Sequence, residues 1–205
     1  MTESLITELI NASLAMPPWE VAAALLGACY IILAAKESQW CWPFAFANTL
    51  IYTVLFWEGQ LPMQALLNAY YMAMAVYGYM IWRKHQQSED NIHITSWSWS
   101  KQVVFIVIGT VLSLITAYYL QSNQLSQSPY LDASVTIFSV MNTWLMARKV
   151  LQNWIYWIII DAAAVVLYFE TAYYATVILF ALYIVLAISG LISWQKRFKQ
   201  QVGQY

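Results

Sequence analysis

The chain has 205 residues and a formal net charge of −1, with 61% hydrophobic and only 9% charged residues. A soluble domain carries about 25% charged residues, so this composition belongs to a single-domain protein built for lipid. The near-zero net charge says nothing about partners, and nothing in the chain suits nucleic acid.

The first 16 residues contain Glu3 and Glu8 but no Lys or Arg, so they lack the basic start of a signal peptide. Leu5, Leu9 and Ile10 suggest a short interfacial helix stopped by Pro17 and Pro18. Apolar runs near the roughly 20 residues needed to span a bilayer follow at 19–36, 39–58, 61–82, 102–121, 130–147, 152–169 and 172–194. Their continuity lacks the strict alternation of an outer-membrane strand, which leaves helices as the spanning element. In the second run Pro43 bends or starts the helix, and Asn48 and Tyr52 share a face. In the third, Gln64, Asn68 and Tyr71 stand at i, i+4 and i+7. Residues 84–91 and 95–100 belong to the longest loop on the basic side, in which His85 and His93 lie, and 121–129 is a polar loop. Asn142 lies in the fifth run and Tyr183 in the seventh. Cys29 and Cys41 match no metal or disulfide spacing and read as buried thiols.

Charge tests the helix count independently. With seven spans, all nine Lys and Arg residues fall on one side, while Glu3, Glu8, Glu20, Glu58, Asp132 and Glu170 fall on the other. One helix more or fewer would scramble this separation. The positive-inside rule then places the C-terminus in the cytoplasm and the N-terminus outside.

Displacing the sequence by 112 residues aligns it with itself. Ten of 31 positions are identical between Val54–Lys84 and Val166–Lys196, including Glu58/Glu170, Tyr71/Tyr183, Gly78/Gly190 and Trp82/Trp194. Upstream, Trp42 meets Trp154 and Ala35 meets Ala147. The expected architecture is an all-α integral membrane domain with a parallel 3+1+3 repeat. Residues 19–82 form one triplet, 102–121 the linker helix and 130–194 the second triplet. Carriers of this build hold their solute near midplane between the two halves.

Asp161 is the one acid near the middle of a span, where a carboxylate is expensive and usually functional. Trp154, Trp157 and Asp161 stand at i, i+3 and i+7, so one face offers two indoles leading to a carboxylate. Indole faces attract cations and stack on flat rings. Asn48, Tyr52, Gln64, Asn68, Tyr71, Asn142 and Tyr183 could supply hydrogen bonds around such a solute. The competing role for each is an interhelical hydrogen bond, and for Asp161 a partner that only fixes packing.

Other seven-helix functions fit worse. A retinal protein needs a Lys in the last span, and Thr171–Trp194 has none. A membrane haem protein needs His in its spans, an intramembrane aspartyl protease needs a second carboxylate, and a channel needs repeated charged or carbonyl rings. No cofactor and no enzyme activity are expected. A structural or sensory protein is the remaining alternative, and it has no use for a polar, aromatic interior.

The stretch Arg148-Lys149-Val150-Leu151-Gln152-Asn153-Trp154-Ile155-Tyr156-Trp157-Ile158-Ile159-Ile160-Asp161 resembles the signature of the PnuC family of vitamin transporters. In that signature, basic residues precede Trp-x-x-Trp and then an Asp or Asn four residues on. The resemblance runs from about Trp19 to Trp194. It implies a SWEET-like fold, a homotrimer in the bacterial inner membrane, and facilitated diffusion of a B vitamin trapped by a cytoplasmic kinase. It also implies that Trp154, Trp157 and Asp161 line the solute site. Within the family, the segment Trp40-Cys41-Trp42-Pro43 leans toward the thiamine branch, PnuT, with nicotinamide riboside as the alternative. Both solutes are flat cations.

Overall fold

In a computed structural model, the residues described are 18–58, 62–86, 93–170 and 174–203. The interfacial helix expected near residues 5–10 lies outside them. They form seven helices: α1 Pro18–Ala35, α2 Cys41–Glu58, α3 Pro62–Gln86, α4 Trp99–Ser122, α5 Pro129–Ala147, α6 Asn153–Glu170 and α7 Tyr174–Val202. Over Trp99–Ser122, Asn153–Glu170 and Thr176–Val202 the helices are by themselves long and apolar enough to cross a membrane.

Three helices run past their expected ends, α3 among them, which continues to Gln86. α4 begins at Trp99 and α7 continues to Val202, because Gln195, Lys196, Arg197, Lys199 and Gln200 are good helix formers that extend the helix beyond its apolar run. The segment before α4 is also not a free loop. Thr95 bridges to Val150, with Thr95 N–H on the Lys149 carbonyl (3.0 Å) and Leu151 N–H on the Thr95 carbonyl (2.8 Å). Gln152 fixes it further, accepting from Trp97 N–H (3.0 Å) and donating to Ser96 Oγ (2.7 Å).

Pro43 sits in the first turn of α2, where its missing N–H would have no helical partner in any case. α1 and α5 end in the same hydrogen-bond pattern. Ser38 N–H reaches the Leu33 carbonyl and Glu37 N–H that of Ala34; Val150 N–H reaches Leu145 and Lys149 N–H reaches Met146. This is the Schellman cap, and it places Glu37 (φ 55°) and Lys149 (φ 52°) in the left-handed region. A side chain there costs about 1 kcal/mol, and the two strained residues meet each other. Lys149 Nζ lies 2.9 Å from Glu37 Oε2, and Arg197 lies 3.1 Å from Glu37 Oε1.

Six helices close into a ring: α1 touches α2 and α7, α3 touches α2 and α5, and α6 touches α5 and α7. α4 stands outside the ring against α5. Its contact stripe is Phe105, Gly109, Ser113 and Ala117, with small residues at every fourth position after the Phe. A side chain at Gly109 would run into Phe138, so this glycine sets how closely the two helices approach.

Four buried indoles fill the ring at the end that carries the α1–α2 and α5–α6 turns. Trp42 meets Trp82 edge-on (5.4 Å, 87°) and Trp154 meets Trp194 edge-on (5.5 Å, 86°). Trp82 Nε1 donates to the Ala147 carbonyl and Trp194 Nε1 to that of Ala34, each at 3.0 Å. Trp42 lies against Gly78 and Trp154 against Gly190, where a Cβ would be 2.6 Å from the ring. A glycine in each of α3 and α7 thus makes room for one indole.

Candidate functional site

Above the indole layer the ring encloses a cavity of about 250 Å³. Asp161, on α6, reaches it and is only 5% exposed. Its carboxylate forms no ion pair or hydrogen bond among the described residues. An uncompensated charge taken out of water costs several kcal/mol, so its neighbours do not explain its retention as a structural group.

The walls around Asp161 are aromatic and polar. Trp157 stands one turn before it on the same helix, with Tyr183 and Phe180 on α7 and Tyr71 on α3. Phe180 and Tyr183 meet edge-on at 5.7 Å. Asn48 Nδ2 donates to the Ala23 carbonyl (2.6 Å), which orients its amide. The hydroxyls of Thr49 and Thr143 donate to the Ala45 and Ser139 carbonyls, both at 2.8 Å, and keep only acceptor capacity toward the cavity. The indole N–H groups of Trp42 and Trp154 are buried and have no hydrogen-bond partner among the described residues. The cavity therefore offers one negative charge, flat aromatic faces and a few oriented polar groups. Those are the elements that hold a flat, positively charged solute. Among the described residues no three His, Cys, Asp or Glu side chains converge in metal-binding fashion. A larger groove of about 660 Å³ lies on the outer side, between α3, α4 and α5, with Lys101 but no acid on its walls.

The family model described as nicotinamide mononucleotide transporter matches residues 17–196. The chain belongs to that family. Members and relatives are consistent in kind. The riboflavin/roseoflavin transporter RibM of Streptomyces davaonensis is 23% identical over 184 residues, covering 88% of this chain and 86% of that protein. The nicotinamide riboside transporter PnuC of Escherichia coli is 24% identical over 200 residues, covering 85% of this chain and 84% of that one. The crystal structure of the vitamin B3 transporter PnuC superposes with a TM-score of 0.73, covering 96% of this chain and 89% of that chain. At 17% identity that likeness shows the fold. As a member of this transporter family with apolar helices, the protein is a multi-pass protein of the bacterial inner membrane.

Of the residues singled out from the sequence of this family member, the ring brings Trp154, Trp157, Asp161, Asn48, Tyr71 and Tyr183 to one cavity. Tyr52, Asn68 and Asn142 are not on its walls. Tyr52 stacks on Phe56 (5.7 Å, 19°). Asn142 is fully buried at the α5–α6 corner, where its amide donates to the Asn153 carbonyl at 2.9 Å. It ties a helix junction and does not face the cavity. The side chain of Gln64 lies outside the described residues.

Sequence reasoning passed over Gly27, Ala45, Thr49, Ser139 and Thr143 because they are small and carry no distinctive chemistry. The 112-residue offset was the signal that finds them. Gly27 and Ser139, Ile31 and Thr143, Ala45 and Trp157, and Thr49 and Asp161 are all offset pairs, and all eight residues line the cavity.

Proposed function

We propose that this protein carries a flat, cationic, water-soluble B vitamin into the cell by facilitated diffusion. Nicotinamide riboside and thiamine are the two solutes that fit. The observation that carries the reading is the Asp161 carboxylate, buried without a partner on an aromatic cavity. A solute cation would stack against Trp157 and supply the missing charge. Nicotinamide riboside has the added support of relatives named for it. Thiamine meets the same chemistry. A riboflavin carrier is the reading that the RibM likeness suggests. It fits less well, since a neutral three-ring solute gains nothing from a carboxylate.

All seven helices span the membrane in this reading, with the N-terminus outside, and the two triplets are related by an axis along the membrane normal. Its support is the charge separation between loops, and the matched pairs of Schellman caps, indole contacts and Trp-to-carbonyl hydrogen bonds. The layer of four indoles and the Glu37 ion pairs then seal the cytoplasmic end. Solute release requires the two halves to part there, breaking the contacts of Glu37 with Lys149 and Arg197. The protein assembles as a homotrimer, and a cytoplasmic kinase that phosphorylates the vitamin makes uptake one-way.

Isothermal titration of the detergent-purified protein with nicotinamide riboside, thiamine and riboflavin tests the reading. Saturable binding of either cation supports it and names the solute. Binding of riboflavin alone, or of none of the three, would overturn it.

A further inference from the structure

The cavity is built on paired positions, yet its two sides differ in a consistent sense. Where the second half presents Trp157 and Asp161 on α6, the first presents Ala45 and Thr49 on α2. Where α5 presents Ser139 and Thr143, α1 presents Gly27 and Ile31. The carboxylate and the Trp157 indole are thus on one side, and on the other Ala45 and Gly27 are smaller than their counterparts and leave space. The exchange of an indole for a methyl group at Ala45 opens the space that a second Trp157 would otherwise fill.

Gly27 sharpens the asymmetry. The Tyr71 hydroxyl interacts with the Ser139 side chain. The corresponding tyrosine, Tyr183, meets Gly27 at the matching place and finds no hydroxyl there. A Cβ on Gly27 would lie 2.9 Å from the Tyr183 hydroxyl and 3.2 Å from Asn48 Nδ2. The missing side chain therefore lets a phenol from one half and an amide from the other converge beside the cleared space. Neither group carries charge, and both hydrogen-bond readily.

We infer that Ala45 and Gly27 are specificity-determining residues that make room for a second, neutral, hydrogen-bonding part of the solute beside the ring bound at Trp157 and Asp161. The site takes two-part solutes, a flat cationic ring joined to a hydroxyl-bearing or second-ring portion, in one orientation. This rests on the reading of the protein as a carrier of a vitamin cation, and it adds which residues select the uncharged portion. It also gives a reason for a duplicated cavity to lose its symmetry: a solute with two unlike ends is held better by two unlike walls.

The test compares ligands that differ in the second part alone. The wild-type protein and Ala45→Trp are titrated with nicotinamide riboside and thiamine, and by competition with the N-methylnicotinamide cation, a ring without a second part. Ala45→Trp is expected to weaken the two-part solute by tenfold or more relative to the small cation. Ala45→Leu, a smaller intrusion less able to disturb folding, is expected to fall between. A two-part solute bound within twofold of wild type by both variants would overturn the inference, as would equal losses for the small cation. Failure of the wild-type protein to bind any of the cations would instead overturn the carrier reading on which the inference rests, so the two failures are distinct.

Discussion

Replacing Asp161 with Asn keeps the shape of a cavity-lining side chain and removes its charge. Asp161 is 5% exposed and has no partner among the described residues, so a bound cation would be its counter-ion. At a contact distance of about 4 Å and an effective dielectric of about 20, that attraction is about 4 kcal/mol. The Asn amide retains a neutral contact worth about 1 kcal/mol. The difference, about 3 kcal/mol, corresponds to a roughly 100-fold weaker Kd. Isothermal titration of both proteins with the solute that binds wild type measures it, with gel filtration and thermal melting in detergent as the check on folding. The empty variant should melt at or above wild type, because it no longer buries an uncompensated carboxylate. A folded Asp161→Asn protein that binds within about threefold of wild type would refute the placement of the cation at this carboxylate.

Glu37→Gln removes one ion-pair partner of Lys149, whose side chain is 13% exposed, and one of the half-exposed Arg197; about 2 kcal/mol of stability should go, less than the 3–5 kcal/mol of a fully buried pair. The double variant Glu37→Gln with Lys149→Gln should recover part of that loss in a double-mutant cycle monitored by unfolding in detergent. Trp82→Phe and Trp194→Phe each delete one hydrogen bond to a helix-end carbonyl, and each should cost about 1 kcal/mol, with near-equal values for the two. Gly190→Ala should push Trp154 from its seat and destabilise by about 1–3 kcal/mol, read as a lower melting temperature, while Gly203→Ala in the exposed last turn should leave the melting temperature unchanged.

Much of this protein is written in its hydropathy. A bilayer demands long uninterrupted apolar helices and punishes an unpaired carboxylate, so runs near 20 residues and the lone Asp161 were legible from residue types alone. The helix ends mostly fall within a few residues of those runs, and α7 overshoots because helix propensity does not stop where hydrophobicity does. The Trp154, Trp157 and Asp161 stripe was legible for the same local reason, since 3.6 residues per turn puts such a spacing on one face. Periodicity gives the face of a helix but not its partner. That α3 packs on α5 and α1 on α7, closing a ring around a cavity, is a matter of which surfaces fit. Asn142 and Asn48 are chemically identical on paper; the fold turns one into a corner tie to Asn153 and leaves the other on the cavity wall. Ala45 and Gly27 carry no signal of their own, because what they contribute is space, and space exists only once the helices around it are in place.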